Sequence, residues 1–156
     1  MTFLPQISID TERDIDMCFG CGKNNPIGLK LKFQRDGQIA KSEFTPTELH
    51  QGWADIVHGG IIHCILDEAM SYAAMFEGLY CVTARMESKF KRLALIGEPL
   101  IITSSITRNA RRFIETKANI SLKDGTLIAE GTATMFIANR KQNRTSKRGD
   151  TPKSNA

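Results

Sequence analysis

No apolar run in this 156-residue chain approaches the eighteen or so residues that a membrane helix needs, so no membrane partner is expected. The opening Met1–Asp10 also lacks a basic segment followed by an apolar one, which predicts a protein that is not secreted and is cytoplasmic. A basic excess is missing from the body of the chain. Residues 139–156 hold six Lys/Arg against one Asp, and the total of +4 therefore leaves the first 138 residues at −1. A general basic groove is excluded, and with it nucleic acid as a partner. Cys18-Phe19-Gly20-Cys21-Gly22 contains a Cys-x-x-Cys, but a second such pair and a His-x(3–5)-His are both absent. A closed structural zinc site needs four ligands. The expectation is a glycine-rich turn lined with reduced thiols, with no metal and no cofactor.

What is present reads as one domain. Residues 1–17 form an irregular lead-in, residues 18–138 the domain, and residues 139–156 a polar, basic tail expected to be disordered. From Leu29 the pattern alternates, with Leu31 and Phe33 on the same face, and Asp36-Gly37 turns that strand into a second one near 38–45. Residues 59–76 are apolar nearly all round, as in a helix wrapped by other structure, and Gly78 is a fitting stop. Four strands follow, at 80–91, 98–107, 112–122 and 126–137, the last two joined through Asp124-Gly125. The order β-β-α-β-β-β-β predicts an α+β domain, a curved antiparallel sheet of about six strands around one long helix.

The chemistry concentrates at Val57-His58-Gly59-Gly60 and Asp67. Glycines at a helix start let a ligand approach N–H groups that have no helical partner, where the helix dipole favours negative charge. Asp67 is a carboxylate in the middle of an otherwise apolar helix, where burial without partners is costly. An oxyanion donor and a base or nucleophile are two halves of an acyl-transfer site. Each feature also has a structural reading. The glycines could serve close packing, and Ser71 or His63, each four residues from Asp67, could satisfy it. Glu68, the rival carboxylate, lies about 100° further round the helix.

Cys18-Phe19-Gly20-Cys21-Gly22, Asn25-Pro26, Gly28-Leu29, His50-Gln51-Gly52-Trp53, His58-Gly59-Gly60, Leu66-Asp67-Glu68-Ala69 and Gly97-Glu98-Pro99-Leu100, in this order, resemble the hotdog-fold acyl-CoA thioesterases. The branch that includes phenylacetate-pathway-type enzymes is the most similar. The resemblance implies that Gly59 or Gly60 N–H polarises the thioester carbonyl and that His58 orients the turn. It implies that Asp67 is a general base for water or attacks directly, and that Thr83 holds the attacking water. His50 or Gln51 would lie near the substrate. The chain departs from the family in reading Lys91-Arg92-Leu93 where a Pro commonly follows the Arg.

Acyl-CoA is the implied substrate. Lys89, Lys91, Arg92, Arg111 and Arg112 are candidate partners for its phosphates, Arg92 and Arg111 foremost, because Arg binds phosphate bidentately. Trp53, Met70, Ala73, Ala74, Met75 and Phe76 are candidates for an acyl pocket, or for the core. Eight helical residues separate Gly59 from Asp67, about 12 Å, too far for one helix to serve both sides of a single carbonyl. A homodimer with shared active sites is therefore expected, as such or as a pair of dimers. Competing readings are a non-catalytic acyl-CoA-sensing module, a hotdog dehydratase or hydratase suggested by Asn24-Asn25-Pro26, and a zinc- or RNA-binding protein.

Overall fold

The computed structural model describes residues 6–140. Its helix, α1 (Gly59–Met75), packs on a six-stranded antiparallel sheet made of β2 (Gln34–Asp36), β3 (Ile39–Phe44), β4 (Cys81–Phe90), β5 (Leu100–Asn109), β6 (Phe113–Ser121) and β7 (Leu127–Ile137). The spatial order is β2-β3-β5-β6-β7-β4. This is the expected curved sheet around one long helix, the hotdog fold.

The alternation in β6 is realised as read: Ile114, Thr116, Ala118 and Ile120 are buried against α1 and the intervening residues are more exposed. Ile62, Ile65, Leu66, Ala69, Met70, Ala73 and Ala74 form the helix face toward the sheet. Ser104 Oγ ties the layers by donating to the Ala69 carbonyl inside the core. The helix ends where Gly78 takes a φ of 74°, with Gly78 N–H on Met75 O and Leu79 N–H on Ala74 O. Arg35 of β2 seals that end, donating to Phe76 O at 2.7 Å and pairing with Glu77.

Two expectations are corrected. Residues 29–33 do not form a strand, and β2 begins only at Gln34. Leu29 and Leu31 are buried as the alternation requires, but their N–H groups donate to Phe19 O and Gly20 O rather than to β3. The segment therefore folds over the turn at residues 18–22, and the two together cover the part of α1 turned from the sheet. An all-round apolar helix is explained by this second cover. The tail expected to begin at 139 starts in paired structure: β8 (Asn139–Arg140) runs parallel to β1 (Ser8–Ile9). Arg140 also stacks over Tyr80 at 4.8 Å and donates to Thr11, so the lead-in is docked on the domain. The rest of the tail lies outside the described residues.

Candidate active site

The start of α1 is built by the loop before it. Thr47 N–H donates to His50 Nδ1 at 2.9 Å, and the His50 ring meets Phe44 edge-on at 5.1 Å. His50 O accepts the His58 N–H at 2.8 Å, which holds His58 at the helix start. His58 Nδ1 in turn accepts Gly60 N–H at 2.9 Å, so His58 is a side-chain cap. Ile61 and Ile62 N–H both donate to His58 O. Among the described residues Gly59 N–H has no partner, and it is the first amide of the helix. The two glycines, equivalent in the sequence, are thus distinguished: Gly60 is committed to the cap, and Gly59 offers a free donor.

Gly52 makes the cap possible. A methyl group on it would lie 3.3 Å from both Cα and Cδ2 of His58. Gly52→Ala is expected to push His58 off the Gly60 amide and cost about 1–2 kcal/mol in chemical denaturation. An unchanged unfolding midpoint would show that His58 adjusts freely.

A cleft of about 730 Å³ opens at this end of α1, lined by Trp53, Ile56, Val57, Gly59, Ile62, Phe90, Lys91, Arg92 and Leu93 among others. Lys91 and Arg92 reach it because both of their N–H groups donate to Ile128 O, at a register shift between β6 and β7. Trp53 is 84% exposed at the rim. The walls are apolar and the cations lie on one side, an arrangement suited to an amphiphile with an anionic part.

Asp67 lies two turns along α1, half-buried, and Thr83 Oγ1 donates to its Oδ1 at 2.7 Å. Its partner is thus a strand hydroxyl. Of the two helical neighbours that could have satisfied it, His63 bonds Ser88 instead, and among the described residues Ser71 makes no hydrogen bond to it. Oδ2 of Asp67 has no protein partner among the described residues.

The remaining sequence candidates are distributed unevenly. Arg92 lines the cleft, whereas Arg111 occupies the β5–β6 turn at the Cys81 end of β4, opposite the Phe90 end that meets Gly59. One chain does not bring the two arginines together. Gln51 is exposed and accepts Asp55 N–H at 3.4 Å, while His50 has its Nδ1 occupied in the cap beneath His58. Met70, Ala73 and Ala74 are core between helix and sheet, so of the candidate acyl-pocket residues only Trp53 lines the cleft. Phe90 and Leu93 were not legible as site residues, since an aromatic and a leucine at a strand end carry no chemical signature of their own.

Residues 54–129 match the family model of the thioesterase superfamily. No curated protein matches the chain. Among solved structures, one thioesterase superfamily protein is 24% identical with a TM-score of 0.71, the match covering 76% of this chain and 61% of that one. A thioesterase from Streptococcus pneumoniae, solved with coenzyme A, is 18% identical with a TM-score of 0.66, covering 71% of this chain and 91% of that one. The same streptococcal protein has been solved with an Asp and, sixteen residues later, a Thr each changed to Ala. The Escherichia coli PaaI protein, from the phenylacetic acid degradation operon, is 20% identical with a TM-score of 0.66, covering 69% of this chain and 83% of that one.

Proposed function

We propose that the chain, with its hotdog fold and the match of residues 54–129 to the thioesterase superfamily, is a thioester hydrolase that converts an acyl-CoA thioester to the free carboxylic acid and CoA. The observation that carries the reading is the pair of complementary groups: an unpartnered Gly59 N–H opening on the cleft, and an Asp67 carboxylate held at one oxygen by Thr83. The sixteen-residue spacing of Asp67 and Thr83 equals that of the Asp and Thr altered in the streptococcal thioesterase.

In this reading the thioester carbonyl oxygen accepts from Gly59 N–H at the positive end of α1. His58 positions the turn without touching the substrate. Thr83 spends its one proton on Asp67 and keeps lone pairs for a water, whose second partner is Asp67 Oδ2. Asp67 takes the proton as the water attacks, and the thiolate of CoA leaves. Arg92 and Lys91 fit the anionic part of the substrate, and Trp53, Phe90 and Leu93 its apolar part.

The two halves lie about 12 Å apart along one helix, so a complete site needs Gly59 of one protomer and Asp67 of another. The sheet supports this. β4 carries Thr83, runs ten residues, and is an edge strand with one side unpaired. A two-fold antiparallel pairing across β4 sets the helices antiparallel. It also carries the Arg111 end of one protomer to the Phe90 end of the other.

Thiol release measured across short, medium, long-chain and aromatic acyl-CoAs tests the activity. Binding of these ligands without thiol release from any would replace the enzyme with a sensing module. Thr83→Val is expected to lower kcat about ten- to a hundredfold, the worth of a hydrogen bond to a charged group, with KM nearly unchanged. A change confined to KM would move Thr83 out of the chemistry. Arg92→Ala is expected to raise KM several-fold with little effect on kcat, and less so at high salt.

A further inference from the structure

We propose that Cys18, Cys21 and Glu68 form a binding site for one thiophilic divalent cation, of which Zn²⁺ is the reference. The site lies about 100° round α1 from Asp67, at the turn of residues 18–22, and is separate from the hydrolytic chemistry. One ligand atom from each of the three residues lies within 4.8 Å of the others. Cys18 Sγ is 3.7 and 3.8 Å from the two Glu68 oxygens. A zinc ion bonded to sulfur and carboxylate oxygen in a tetrahedron separates the two by about 3.6 Å, so the side chains already have the required edge.

The backbone is shaped for this approach. Gly22 N–H donates to Cys18 O at 2.8 Å, closing the turn that sets both thiols on one side. A methyl on Gly22 would collide with the carbonyl of Asp16 and the backbone of Cys18, and one on Gly20 would lie 2.5 Å from the Glu68 carboxyl carbon. The turn is anchored by Asn25 on Met17 O and by Leu29 and Leu31 on Phe19 O and Gly20 O. Charge makes the same point. Tyr72 and Cys64 adjoin the cluster, and among the described residues no Lys, Arg or His pairs with Glu68.

On binding, each thiol gives its proton to solvent, two sulfur bonds and one carboxylate bond form, and water fills the fourth position. The ion would pin the turn at 18–22 to α1.

The test uses the whole chain, reduced and stripped with a chelator, titrated with Cd²⁺ and Co²⁺ for thiolate charge-transfer absorbance and with Zn²⁺ for thermal stability. One equivalent per chain is expected, with a midpoint rise of about 5–10 °C at a hundredfold excess over Kd. Cys18→Ser and Cys21→Ser should each weaken binding about a hundredfold and Glu68→Gln about tenfold, while Cys81→Ser leaves it unchanged. Should the serine variants misfold, protection of Cys18 and Cys21 from alkylation by Zn²⁺ in the unaltered chain reads the same site. No charge-transfer band in the reduced protein, a band that survives loss of Cys21, or no protection overturns the proposal. Each outcome is independent of thiol release from acyl-CoA.

Discussion

Asp67→Asn is expected to lower kcat for acyl-CoA hydrolysis by about a hundredfold or more, with the fold intact. The amide has the shape of the carboxylate and can still accept from Thr83 Oγ1, the 2.7 Å bond that orients it. What it loses is the basicity that removes a proton from water, a contribution of about 10²–10⁴ in rate. Glu68→Gln is the matched control. Glu68 faces the turn at Cys18 and Cys21 and not Thr83, so its loss should leave kcat within a few-fold. Steady-state kinetics of the two variants, with circular dichroism to show that both fold, decides the carboxylate. A dead Glu68→Gln beside an active Asp67→Asn would reverse the assignment.

Mixing two inactive variants should restore activity to about a quarter of the unaltered enzyme. The first is Asp67→Asn; the second is Gly59→Pro, which deletes the unpartnered N–H. Gly59 is the first residue of α1, the one helical position where Pro is favoured. His58 already has φ −59° and ψ 133°, the extended conformation that a following Pro demands. A side chain at 59 first meets the Phe90 ring, at 3.7 Å, an ordinary contact distance. The helix should therefore survive while the donor is lost, at a cost of about 10²–10³ in kcat. If each site takes Gly59 from one protomer and Asp67 from the other, a mixed dimer has one site with both groups intact and one with neither. Random exchange makes about half the dimers mixed, and half of their sites work. Activity should rise with the time course of subunit exchange and stop near that fraction. Exchange without recovery would mean that each chain builds its own site, and the shared-site reading would be abandoned.

Periodicity alone carried most of the architecture. The alternation of Ile114, Thr116, Ala118 and Ile120 places that face on the core because a strand has only two faces, and one must be buried. The apolar helix from Gly59 and its stop near Gly78 follow from local backbone chemistry in the same way. Asp67 stood out because a carboxylate amid Ile65, Leu66, Ala69 and Met70 needs a specific partner.

That the partner is Thr83, sixteen residues on, was decided by β4 lying beside α1, a contact between distant segments that no local pattern encodes. The same holds for the two glycines. Sequence makes Gly59 and Gly60 equal donors, and only the position of the His58 ring, set from below by His50 and Gly52, leaves one free and engages the other. Residues 29–33 have the alternation of a strand, yet their N–H groups turn to Phe19 and Gly20 because the exposed side of the helix had to be covered. Burial pattern is a property of each segment, and the sequence by itself determined it here. The choice of hydrogen-bond partner, and hence which polar groups stay free to bind, belongs to pairs of segments, and only the tertiary structure decided it.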